Sequence, residues 1–183
     1  MKPTSLGNEI IFTVFGKPAT QGSKVARALY NKAGKPIMKN GRVLTSTRDS
    51  NKRLASFRQD VAVSAMAELD KVGVDSFSGP LAMGVVIVRK RPKGHFGTGR
   101  NSQILKPSAP EWPTTRPDEL KSVRAVEDAM TGVIYADDSQ IAHHAIHTVY
   151  GDVAKTIVLL RELRTEDDLE VVDRWSRKTA MNR

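Results

Sequence analysis

At 183 residues, 39% of them hydrophobic and 27% charged, the chain has the size and composition of one water-borne globular domain. The absence of cysteine excludes disulfides and thiolate metal centres. The longest apolar stretch, 81–88, falls far short of the about 20 residues a membrane helix needs, so a soluble, cytoplasmic protein is expected. The net charge of +9 is unevenly spread: residues 1–110 hold 19 Lys/Arg against 6 Asp/Glu, and residues 111–183 hold 10 against 14. A basic stretch followed by an acidic one predicts a polyanion-binding surface beside a centre that gathers cations.

Residues 9–15 (EIIFTVF), closed by Gly16, Lys17 and Pro18, predict a first strand. Turn signals at Gly22, Gly34 and Gly41 punctuate the next segment, where residues 24–53 carry nine Lys/Arg against one acid, Asp49. That segment reads as a mobile basic hairpin or long loop, whose like charges repel without an anion. Residues 51–72 predict an amphipathic helix with Leu54, Phe57, Val61, Val63, Ala65 and Leu69 inward, and Asp49 or Ser50 as cap. Residues 80–88 (PLAMGVVIV) suit a strand at the centre of a sheet, running out into the basic cluster Arg89, Lys90, Arg91 and Lys93.

Residues 94–116, with prolines at 107, 110 and 113, predict a flexible connection without elements of its own. Trp112 within it suits either stacking on an unpaired base or pinning its own loop. Residues 116–132 predict a turn and a helix ending at Gly132, with Leu120, Val123, Val126 and Met130 inward. Residues 141–150 and 153–160 flank Gly151–Asp152, a hairpin signal. A charged tail, 164–183, begins with a Thr165/Asp168 capping pattern and holds a short helix through Trp175. The order predicts a single α+β domain over 1–163, two main helices packed on a mixed sheet.

Six acids fall between 118 and 138: Asp118, Glu119, Glu127, Asp128, Asp137 and Asp138. Mg²⁺ is held by one or two carboxylates together with water and phosphate oxygens, and such an ion can position a water and neutralise charge on a phosphodiester. On a helix Asp118 and Asp128 lie about 80° apart around the axis, with Lys121 and Arg124 on the same polar side. An ordinary amphipathic surface helix has the same pattern. In extended chain Asp137 and Asp138 point to opposite faces, so one can meet a metal while the other caps a turn; a plain polar turn is the alternative. His143, His144 and His147 cluster, but zinc would need more ligands, and they read as solvent-facing strand residues.

Thr115-Arg-Pro-Asp118, Lys121, Val123-Arg124-Ala-Val126, Asp128-Ala-Met-Thr-Gly132-Val-Ile-Tyr135 and Asp137-Asp-Ser-Gln140-Ile together resemble the signature of RusA-type Holliday-junction resolvases, including phage-borne members. Val14-Phe-Gly16-Lys-Pro18 with Gln21-Gly-Ser-Lys24, and Leu105-Lys-Pro-Ser-Ala-Pro110, are similar to other parts of that family. The resemblance implies a RusA-like fold and a homodimeric, Mg²⁺-dependent endodeoxyribonuclease, with Mn²⁺ as a substitute. Such an enzyme nicks opposing strands of four-way DNA junctions in recombination and repair.

By position, the resemblance implies Asp118 and Asp138 as catalytic, metal-binding aspartates, with Asp128 as the helix aspartate. It implies Arg124 as the cation at the scissile phosphate. Position 120, where the pattern has another Asp, is Leu, and Glu119 beside it is the candidate replacement ligand. The DNA backbone is expected on Lys24, Arg27, Lys39, Arg42, Arg89, Lys90, Arg91, Lys93 and Lys121. Leu120 motivates a rival reading, a catalytically degenerate protein that holds branched DNA without cutting it. A basic RNA-binding or scaffold protein is a third.

Overall fold

A computed structural model describes residues 8–22, 24–49 and 51–182. In chain order the elements are β1 (Glu9–Phe15), β2 (Lys24–Ala28), β3 (Met38–Lys39), β4 (Arg42–Val43), β5 (Thr45–Asp49), α1 (Leu54–Val72) and β6 (Leu81–Lys90). They continue with α2 (Glu119–Met130), β7 (Ile141–Gly151), β8 (Lys155–Glu162) and α3 (Asp167–Met181). The architecture is α+β: a four-stranded mixed sheet, ordered β1-β8-β6-β7, with three helices packed on it.

The near-continuous apolar run of β6 explains its place. Its first eight residues are all buried, which requires cover on both faces and partners on both edges. Leu81, Met83, Val85 and Ile87 face the larger core under α1 and α2. Ala82, Val86 and Val88 face α3 through Val172, Trp175 and Ala180. β6 runs parallel to β7, with Val85 opposite Ile146, and antiparallel to β8, with Val85 opposite Val158. The expected hairpin at Gly151–Asp152 is therefore absent: β7 and β8 follow one another in sequence, but β6 lies between them. A turn signal sets the local reversal, whereas burial of the most apolar strand sets the pairing.

α1 buries Leu54, Phe57, Val61, Ala65 and Leu69, a stripe at spacings of three and four. Val63 falls outside it and is exposed. Arg53 stands at the N-cap without a side-chain cap bond; of the expected caps, Ser50 and the side chain of Asp49 lie outside what is described. The tail is more than a short helix. α3 runs 15 residues and covers the second face of the sheet. Gly84 admits it, since a Cβ there would come within 2.8 Å of the Trp175 ring. Asp168, in its first turn, is buried and joined to the equally buried Arg161 of β8 at 2.7 Å. Asp168 also accepts from the backbone N–H groups of Arg164 and Thr165, at 2.9 and 3.0 Å. No described helix is long and apolar enough to cross a membrane.

Candidate functional site

The segment 24–49 forms a hairpin arm. β2 pairs with β5, Lys24 opposite Asp49, and the small β3–β4 hairpin lies at the far end. The arm is anchored beside α2: the Gln21 N–H donates to the Lys121 carbonyl at 2.9 Å. Asn51 ties the other end to the Thr20 carbonyl at 3.1 Å. Arg27, Lys39 and Arg42 are exposed along it; the side chain of Lys24 lies outside what is described.

α2 carries most of the candidate residues. Asp118 caps its N-terminus, accepting from the Leu120 N–H at 3.1 Å, which satisfies one of the open donors of the first turn. Ser122, Val123, Ala125, Val126, Ala129 and Met130 form its buried face. Leu120, expected inward, is 62% exposed, and Ser122 takes the inward place in the first turn. The exposed arc opens a groove lined by Leu120, Lys121, Arg124, Glu127, His144 and Gln21. The amide oxygen of Gln21 is buried there without a partner among the described residues. A neighbouring hollow sets Asp118 among three cations, Lys17, Arg116 and Lys121.

The other carboxylates are held apart from Asp118. Glu119 turns toward β7 and accepts from the Thr148 hydroxyl at 2.8 Å. Asp128 pairs with Arg58 of α1. Glu127 meets the imidazole of His144 at 2.6 Å. Asp137 caps the 3-10 turn 138–140, accepting from the Ser139 N–H at 2.9 Å, so one member of the acidic pair does serve the turn. The Ser139 hydroxyl, then that backbone bond and, less, Asp138 hold the Asp137 carboxyl below its usual range. Asp138 is left exposed.

Tyr135 marks the acidic end of the helix. Its hydroxyl donates to the Glu127 carbonyl at 3.0 Å. Burial pushes its pKa well above the ordinary phenol value; Thr131 opposes that, and the charges of Glu127, Asp138 and Asp128 add to it. Glu127, Asp128 and Asp138 thus belong to the C-terminal end of α2. Asp118 lies ten residues before Asp128, about 15 Å back along the axis.

The basic cluster after β6 splits into two roles. Arg89 donates to the Thr115 carbonyl at 2.7 Å and the Arg116 carbonyl at 2.6 Å. Arg91 donates to the Pro110 carbonyl at 2.9 Å and lies 4.4 Å over the Tyr150 ring. Both clasp the connection that was expected to be flexible, which also folds on itself through two 3-10 turns and a bridge between Phe96 and Leu105. Lys90 and Lys93 are exposed. Of the histidines expected to face solvent, His144 is exposed although it meets Glu127 of α2, whereas His143 and His147 are half-buried and His143 meets Asp173 of α3 at 2.9 Å.

Sequence reasoning missed Lys17 and Arg116 around Asp118, Arg58 against Asp128, and the Glu127–His144 pair. Arg116 stands two residues before Asp118 and was a readable signal. The others join elements far apart in sequence, and nothing local announces them.

An acid-capped helix on a mixed sheet, edged by cations and a protruding basic arm, is the layout of a polyanion-handling α+β domain. The family model described as Endodeoxyribonuclease RusA matches residues 27–161, and the chain belongs to that family. It is 31% identical over 157 residues to a protein of Bacillus subtilis (strain 168) described as uncharacterized protein YqaN, covering 84% of this chain and 96% of that one. The family is one of nucleases of Holliday-junction resolvase type, which use a divalent metal.

Within one chain these acids do not gather into a ready-made cluster. Among the described residues no three His, Asp or Glu side chains gather in a way that would hold a metal. Asp118 sits at the N-terminal end of α2 in a hollow shared with Lys17, Arg116 and Lys121, whereas the charge of Asp138 acts on Tyr135, whose hydroxyl meets the Glu127 carbonyl toward the other end. Leu120 offers no ligand.

Proposed function

We propose that the protein is a structure-specific endodeoxyribonuclease that cuts four-way DNA junctions by paired hydrolytic nicks, acting as a symmetric dimer. The family match across 27–161 carries this reading. The surface around α2 supports it: Lys121 and Arg124 line a groove from whose edge the basic arm emerges, and phosphates bind such a strip by charge and shape rather than by sequence. Arg124 contacts the scissile phosphate, and Lys24, Arg27, Lys39, Arg42, Lys90, Lys93 and Lys121 hold flanking backbone. Arg89 and Arg91 shape that surface through the connection they clasp.

Asp118 and Asp138, with Asp128 and Glu119 nearby, are the acidic groups on which divalent-ion dependence rests, with Mg²⁺ or Mn²⁺ as the ion. Their placement toward opposite ends of one helix is the reason for invoking two chains. Two α2 helices meeting antiparallel across a two-fold axis would set Asp118 of each copy beside Asp138 of the other. Two-fold symmetry also matches two cuts on opposing strands.

Leu120 and the separation of the carboxylates favour a second reading, a family member that holds branched DNA without cutting it. Purified protein incubated with a synthetic four-way junction and Mg²⁺, beside an Asp138→Asn variant, separates the two. The proposal expects paired nicks from the unaltered protein and binding without nicks from the variant. Binding without nicks from both supports the second reading.

A further inference from the structure

Trp112 lies between Pro110 and Pro113 and is 54% exposed. The loop around it is fixed without it: Arg91 holds the Pro110 carbonyl on one side, and Arg89 holds the carbonyls of Thr115 and Arg116 on the other. Pro113 restricts Trp112 itself to extended backbone. Pinning the loop, one of the two roles its sequence suits, is thus done by the arginines. What remains is a large aromatic face held out to solvent on a rigid mount, six residues from Asp118.

Its surroundings indicate what covers that face. Residues 89–116 carry seven Lys/Arg against one acid, Glu111. A second copy of the same loop would be repelled, whereas a polyanion is drawn in. An aromatic ring on a basic segment suits stacking of a nucleobase whose phosphates are neutralised nearby. Bases within duplex DNA already stack on one another, so the ring is open only to a base whose stacking face is free, as where duplex arms part at a branch.

We propose that Trp112 is a stacking platform for a nucleobase left unstacked at the branch point of the DNA. This rests on the DNA-binding reading above and adds to it the feature that separates branched from linear DNA. The chain has two tryptophans, and the other, Trp175, packs on the sheet beneath α3, so exposed indole emission reports Trp112.

The test measures binding of a four-way junction and of a linear duplex of the same sequence, without divalent ion, for the unaltered protein, Trp112→Ala and Trp112→Phe. The junction is expected to quench the fluorescence of the unaltered protein, and the duplex is not. Trp112→Ala should bind the junction about 10-fold more weakly and the duplex unchanged, with Trp112→Phe restoring most of the loss. Equal junction binding by Trp112→Ala, an equal loss on both DNAs, or a change in self-association instead overturns the inference and leaves the nuclease reading standing. If the unaltered protein binds neither DNA, both fall.

Discussion

Asp168 shows how one side chain makes a helix contribution conditional on pH. Burial raises its carboxyl pKa, but the Arg164 N–H, the Arg161 guanidinium and the Thr165 N–H outweigh that and bring it down to about 2, from 3.8. A folded-state value below the unfolded one means the ionised form is favoured in the fold. Its contribution is complete above about pH 4 and fades as pH falls through 2. It amounts to about 2 kcal/mol. Urea unfolding between pH 7 and pH 2 should show that loss, and Asp168→Asn should remove most of it while costing about 3 kcal/mol at pH 7, because buried Arg161 keeps only the half-exposed Glu9 as a charged partner. An Asn variant as stable as the unaltered protein at pH 7 would show that the buried pair contributes nothing.

At the scale of elements, α3 depends on a missing side chain. Gly84→Ala would put a methyl 2.8 Å from the Trp175 ring, and the helix must shift or tilt. The expected cost is about 2 kcal/mol, read as a lower thermal midpoint with loss of near-ultraviolet signal from Trp175. An unchanged midpoint would mean that α3 is not seated on β6 as described.

What was legible in the sequence follows the same division. Strands β1 and β6, helices α1 and α2, and the basic arm were readable because apolar periodicity and charge are local. Pairing was not. Gly151–Asp152 announces a turn, yet only the whole sheet decides that β6 enters between the strands on either side. The tail read as charged because its apolar residues, Val172, Trp175 and Ala180, are sparse and bury only against the sheet face beneath them. In the candidate site, a turn-capping role for one of Asp137 and Asp138 was readable, as was the polar side of α2 that carries Lys121 and Arg124. The distance from Asp118 to Asp138 was not, since spacing along a chain says little about which end of a helix a later turn reaches.

For the whole molecule, the proposed DNA surface of basic arm and groove would make affinity a matter of counterion release. Replacing Arg27, Lys39 and Arg42 by Ala should make the dependence of log affinity on log salt shallower by about 3, if each contacts one phosphate. An unchanged slope would remove the arm from the DNA surface.

On the proposed reading the cutting centre needs carboxylates from two copies of the chain, and a mixing experiment tests it directly. Asp118→Asn and Asp138→Asn proteins are each expected to lose junction cutting by about 100-fold or more. When the two are unfolded together, refolded and supplied with Mg²⁺, each mixed dimer would contain one centre with both aspartates intact. Nicking of one strand should therefore return in the mixture. A mixture as inactive as its components, with mixed dimers shown to be present, would contradict the shared centre.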